Sequence, residues 1–280
     1  MQSNPLLQKV SDIITKSVPA SRIVLLAYCN KEKQAFTIFS EPGFLLQNPA
    51  ELQLFVLADV PNMDRHAAID KIEQRCQGFI PVCIILMNKN EFANLLLQGN
   101  RFAITVMQSS QLIYDKDSNL GALPVGQDTT NHNPELISWY RRGLAFREMA
   151  GTQFKAGEYD TAAFCMHVSA EQFLCMLMQT SIGYRLGTHN IDRQIHLLQF
   201  YVPEIRNVFC RESAIDKQRI QSLRINYVRF MHKAENTVDE NEVEDYLDEL
   251  YKLQLMAESL FYAQTAIFQH INKLSQVPHI

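Results

Sequence analysis

Two hydrophobic periods divide the chain. Through residue 116, short apolar runs alternate with stretches of helical period; after residue 134 only the helical period remains. "RIVLLAYC" (22–29) and "QAFTIFS" (34–40) are strand-like runs joined by the charged turn "NKEK", the pattern of a hairpin. "LQLFVLA" (52–58) and "IPVCIILM" (80–87) are almost wholly apolar, as central buried strands are. Between them, "DRHAAIDKIEQRC" sets Ala67, Ile69, Ile72 and Cys76 on one face of a helix, with Asp64 placed to cap it. "NKNEFANLLLQGN" follows, with Asn88 and Glu91 spaced as a capping box and Gly99 placed to end the helix. A helix over 100–108 and a short strand "LIYD" (112–115) complete a small α/β or α+β domain.

"KDSNLGALPVGQDTTNHNP" (116–134) keeps no apolar period and concentrates Gly, Pro, Asn, Asp and Thr, so it reads as a linker. The predicted domains are therefore 1–116 and 135–280, joined by 117–134. Beyond it, "PELISWYRRGLAFREMAGTQFKAG" is helical from Pro134 to near Gly157. "YDTAAFCMHVSAEQFLCMLMQTSIG" is apolar nearly all round, which places it centrally. "HNIDRQIHLLQFYV" predicts a helix behind Thr188, and "IDKQRIQSLRINYVRFMH" a longer one. The last helix opens on the acidic "DENEVEDYLDEL", where Asp239 and Glu242 form a cap-like pair, and runs to near Leu274. This half is an antiparallel helical bundle.

Composition narrows the function classes. The chain has 280 residues, 47% apolar and 20% charged, enough for one large domain or two of ordinary size with a proper core. A net charge of −4 argues against a general polyanion binder and leaves room for a local basic groove. Cys29, Cys76, Cys83, Cys165, Cys175 and Cys210 form no CxxC and mostly sit in apolar runs, as reduced thiols of a cytoplasmic protein do. The N-terminal "MQSNPLLQKVSDIITK" lacks the pattern of a leader peptide, and the apolar runs fall short of the ~18 residues that span a bilayer. No Walker, GxGxxG, HExxH or GxSxG motif occurs, and no Cys/His set has zinc spacing.

The order of the helical segments resembles the HEPN domain, over residues 138–265. "YDTAAFCMHVSAEQFLCMLM" is similar to the family's Tyr-x-x-Ala…His-x-x-Ala-Glu helix. "GYRLGTHNIDRQIHLL" is similar to its Thr-His-Asn/Asp helix start, and "INYVRFMH" to its aromatic-Arg-aromatic segment. The first half resembles, more faintly, the minimal nucleotidyltransferase that often precedes HEPN. The resemblance covers residues 20–116 and is clearest in "PVCIILMNKNEFANLLLQGNRFAITVMQSSQLIYD". Together they imply an α+β fold: a small nucleotidyltransferase-like mixed α/β domain followed by an all-α antiparallel HEPN-like helical bundle.

Nucleotidyl transfer needs carboxylates on neighbouring strands to hold Mg²⁺ against a triphosphate. Where the resemblance implies an aspartate pair stand Glu51 and Gln53, and near the third acid stand Val82 and Cys83; no Gly-Ser turn follows the first strand. The resemblance thus implies a pseudo-enzyme with degenerate metal positions, no bound metal and no cofactor. Ribonuclease members of HEPN use an Arg followed by His with four to six residues between. Arg224 to His232 encloses seven, Arg229 to His232 two, and Arg185 to His189 three, so none fits, and a displaced Arg224/His232 pair is the alternative catalytic set.

His167 and Glu171 share a helix face at i, i+4, as a buried polar pair or an acid–base pair. His189 at a helix start suits a cap or an interhelical hydrogen bond. "WYRRG" (139–143) sets two Arg beside aromatics, which suits phosphate contact or an ordinary exposed face. The leading expectation is a non-catalytic protein that binds a nucleotide or RNA through Arg185, His189, Arg229, His167 and Glu171, or in a groove between the domains. The alternatives are a toxin-like, metal-independent ribonuclease and a structural module with a protein partner. The resemblance further implies a homodimer, and no membrane partner is expected.

Overall fold

A computed structural model describes residues 4–40, 43–61, 64–116, 134–209, 213–232 and 237–275. The chain forms two compact units, Met1–Thr130 and Asn131–Ile280, the first built on a mixed sheet and the second wholly helical. The linker expected at 117–134 lies outside the described residues apart from Pro134, which opens a helix, and Cys210 lies outside them too.

Unit one opens with α1 (Pro5–Ser17), which the apolar pattern above leaves unassigned. Asn4 caps it by accepting from the Leu6 amide, and Pro5 occupies the first turn, where a missing N–H costs nothing. Val10 and Ile14, one turn apart, are fully buried. The sheet then takes β1 (Ala20–Asn30), β2 (Ala35–Thr37), β3 (Pro49–Ala58), β4 (Val82–Met87) and β5 (Leu112–Asp115). The β1–β2 hairpin is antiparallel, with Tyr28 opposite Phe36. Asn30 closes its turn, its side-chain oxygen accepting from the amides of Glu32 and Gln34. β1 also pairs antiparallel with β5 and β3, while β3 and β4 run parallel across α2 (Arg65–Gln77). The connection must cross over, because parallel neighbours cannot be joined by a tight turn.

The two central runs are buried on both faces as their composition predicts: Leu52 through Ala58 and Val82 through Met87 are all within the core. α2 starts after Asp64, but the Asp64 side chain makes no capping bond. Glu73 of α2 instead reaches the sheet, its carboxylate accepting from the Ile84 amide at 2.9 Å. α3 (Lys89–Leu97) is capped by Asn88, which accepts from the Glu91 amide at 2.8 Å. The reciprocal half of that capping box is absent, because the Glu91 carboxylate pairs with Arg65 at 2.8 Å. Gly99, at φ +67°, turns the chain into α4 (Arg101–Gln108).

Unit two is α5 (Pro134–Lys155), α6 (Tyr159–Ile182), α7 (Ile191–Leu198), a 3₁₀ turn at Pro203–Asn207, α8 (Ala214–His232) and α9 (Glu240–Ser275). α6 is the core: α5, α7, α8 and α9 all pack on it. By length and composition it is the one helix among the described residues able to cross a membrane, yet 78% of that window is buried against the others. Gly183 ends it at φ +76°, a conformation that favours glycine. α7 is capped by Asn190 rather than Thr188; the Thr188 hydroxyl accepts from the Asn190 amide one step earlier. At the start of α9, Asp239 accepts from the Asn241 amide, while Glu242 turns to Ser222 and Tyr246 and ties α8 to α9. The five described cysteines, Cys29, Cys76, Cys83, Cys165 and Cys175, are free and buried.

Candidate functional site

In unit one, the degenerate metal positions come together on the sheet. Gln53 of β3 is in register with Cys83 of β4 on one side and Ala27 of β1 on the other. Glu51, two residues earlier, shares their face and is half-buried. Gln53 is fully buried, and neither polar atom of its amide has a partner. Phe55, next on that face, packs on Phe92 of α3 at 5.1 Å and Phe102 of α4 at 5.7 Å. The two helices therefore cover this face of the sheet at Phe55. Among the described residues, no three of His, Cys, Asp and Glu are grouped as metal ligands would be.

In unit two, two segments far apart in sequence meet at a cleft of ≈ 500 Å³ lined by Thr188, His189, Asn190, Arg224, Ile225, Tyr227, Val228 and Arg229. Thr188 to Asn190 are the entry to α7, so the N-terminal end of that helix borders the cleft. Arg224 and Arg229 come from α8, and neither is ion-paired among the described residues. Tyr227 lies between them as an aromatic wall. Of the residues expected at the site, His189 and Arg229 line this cleft, and the alternative Arg224 lines it with them. His232, the other half of the alternative pair, is exposed in the last turn of α8 and is not among the lining residues.

Glu171 and His167 stand behind the cleft on α6. His189 Nδ1 is 3.0 Å from both oxygens of the Glu171 carboxylate. The Glu171 side chain is 9% exposed and that of His189 is 70% exposed, so the pair reaches from the core to the solvent. With the carboxylate accepting, Nδ1 carries the proton and Nε2 is left for a ligand. The interhelical hydrogen bond expected of His189 is present. The expected His167–Glu171 pair is not, because Glu171 is already taken.

His167 is fully buried and neither ring nitrogen has a hydrogen-bond partner. It stacks on Tyr227 with centroids 4.0 Å apart, and Phe164 lies parallel to the same tyrosine at 5.6 Å. Burial first, then the charges of His189 and Arg224, push the His167 pKa down to about 3. The His189 backbone opposes this, lying close by without hydrogen-bond geometry. His167 is thus neutral at physiological pH and serves as the floor beneath Tyr227. Burial, and after it Glu171, raises the Tyr227 hydroxyl above its ordinary range.

Comparison with known proteins adds little. No family model matches the chain, and no curated protein does. A nucleotidyltransferase-like protein is among its structural neighbours. That solved structure, from Exiguobacterium sibiricum 255-15, aligns over 89% of this chain and 74% of its own, at 13% identity and a TM-score of 0.26. A likeness that slight carries no argument about activity.

Arg185, the remaining expected residue, is not among the residues lining the cleft. Its guanidinium sits 5.9 Å from the ring centre of the buried Trp139 of α5. The sequence pattern did not single out Tyr227, which also lines the cleft; its place between Arg224 and Arg229 on one helix was the available signal.

Proposed function

We propose that the chain is a non-catalytic protein that binds a nucleotide or nucleic acid in the cleft between the start of α7 and α8. One observation carries the reading: Arg224 and Arg229, neither ion-paired among the described residues, line one cleft with the outward edge of His189, the entry to α7 and the Tyr227 ring. Arginine forks and helix amides suit phosphate oxygens, and an aromatic wall suits a base. The resemblance of this half to HEPN and of the first half to a minimal nucleotidyltransferase points to the same ligand class. The non-catalytic reading is supported by the residues at the positions where the resemblance implies carboxylates: Gln53 and Cys83 are buried side by side, and an amide supplies no charge to a metal.

A thermal-shift screen against ATP, UMP and a short RNA, each with and without Mg²⁺, tests this. The expected result is a rise in melting temperature that does not need Mg²⁺, corresponding to ~2.7 kcal/mol at a hundredfold excess over Kd. Arg224→Gln should weaken binding by about tenfold or more, the scale of one charge-assisted contact. A shift that requires Mg²⁺ would restore a catalytic reading; no shift with any ligand would leave a protein-interaction module.

A further inference from the structure

His189 is tethered at one ring nitrogen and open at the other. Its Nδ1 lies 3.0 Å from both oxygens of the Glu171 carboxylate, whose side chain is 9% exposed. A ring held in this way keeps its proton on Nδ1, which leaves the lone pair on Nε2. Nε2 has no hydrogen-bond partner among the described residues, and the side chain is exposed where it lines the cleft. The Tyr227 ring flanks the imidazole, with centroids 6.3 Å apart and 25° between the planes. Arg224 and Arg229 line the same cleft, and neither is ion-paired among the described residues. A tie between helices needs only the Nδ1 bond; it has no use for two free guanidinium groups in the cleft that the other edge of the ring enters. Two other exposed histidines, His66 and His232, have no carboxylate partner among the described residues.

We infer that His189 is a phosphoryl acceptor, modified at Nε2 by a donor of the acyl phosphate class. The Nε2 lone pair attacks phosphorus and forms the N–P bond. The P–O bond to the acyl group breaks, and the carboxylate leaves with the electron pair. The Nδ1 proton stays in place, so the ring becomes an N-phosphoryl imidazolium. Glu171 meets that new positive charge with a carboxylate largely withdrawn from water, where attraction is screened less than at the surface. Arg224 and Arg229 supply the guanidinium forks that suit phosphoryl oxygens. The inference uses the cleft of the proposed function and goes beyond it: the chain is here the substrate of the transfer, and the cleft's ligand need not be a nucleotide.

The test incubates the full chain with acetyl phosphate and maps phosphoryl groups over time by mass spectrometry of peptides kept at alkaline pH. An alkali-stable, acid-labile phosphoryl group is expected on His189. It should form about tenfold or more faster than on His66 or His232, the scale of one charge-assisted contact. His189→Gln should abolish it. The double variant Arg224→Gln/Arg229→Gln should slow it by about tenfold or more. So should Glu171→Gln, whose amide oxygen can still accept from Nδ1 but carries no charge. An unchanged melting temperature establishes that each variant is folded, and the arginine variant keeps the test decisive if Glu171→Gln unfolds. Equal rates at the three histidines, a His189 rate unchanged by loss of both arginines, or no phosphohistidine at all overturns the inference. A nucleotide-dependent thermal shift in any of those cases leaves the cleft a binding site. Phosphorylation of His189 without such a shift keeps the acceptor and overturns the nucleotide reading.

Discussion

Both polar atoms of the Gln53 side chain are buried without a partner in a layer otherwise built from Ala27, Cys83, Phe55 and their neighbours. An unmet amide in such a place costs ~1–3 kcal/mol. Gln53→Leu, close to it in volume, should therefore raise stability by about that amount in urea unfolding. A loss instead would show that the amide has a use the fold requires. His167 poses the same question with a proton attached. Its folded pKa of about 3 lies below the ordinary 6.5, so between those values the unfolded chain binds a proton that the folded chain refuses. Stability is then full above pH 6.5 and falls on acidification toward pH 3, by up to ~1.4 kcal/mol per pH unit. His167→Phe keeps a ring against Tyr227 and has nothing to protonate. Denaturation at pH 7, 6, 5 and 4 should show a shallower acid loss for the variant; parallel curves would mean that His167 is not the group responsible.

At the level of elements, the capping positions were readable and the partners of their second residues were not. Asn88 and Asp239 bond backbone amides at the starts of α3 and α9, as their sequence places suggested. Glu91 and Glu242 had other offers, from Arg65 and from Ser222 with Tyr246, which local spacing cannot reveal. The α5–α6 crossing was equally hidden, because an interior helical glycine reads only as a weak helix former. A methyl on Gly143 would lie 2.6 Å from the Phe173 ring, and that ring is fully buried. Alanine ordinarily improves a helix over glycine by ~1 kcal/mol. Overpacking a core costs ~1–3 kcal/mol, and here the ring has nowhere to go, so the clash should win. Gly143→Ala is expected to lower the unfolding midpoint, and Gly143→Ala/Phe173→Leu to recover part of the loss; a stabilised single variant would mean that the helices can part without penalty.

Across the whole molecule, the change of hydrophobic period separated a sheet unit from a helical one, because strand and helix periods differ wherever one face is buried. The long apolar runs located β3 and β4 and the all-round apolar run located α6, since burial on every side leaves no polar stripe. α1 escaped because only Val10 and Ile14 mark its buried face clearly. Of Arg185, His189, Arg229, His167 and Glu171, expected to act together, His189 and Arg229 line the cleft, Glu171 and His167 stand behind it, and Arg185 is not among the lining residues. The cleft's closing members came from packing, since only the approach of α8 to α6 sets Tyr227 on His167 and brings Arg224 beside residues some 35 to 57 positions away in the chain.

The Glu73 carboxylate on the Ile84 amide has a consequence for how the protein behaves in company. β4 ends the sheet, and an unmet row of amides there would be a template on which a strand of another molecule could pair. A charged side chain from α2 already occupies one of those amides, so an incoming backbone would have to displace a carboxylate and desolvate it. The sheet is thereby guarded against growing from molecule to molecule by a residue that belongs to no strand.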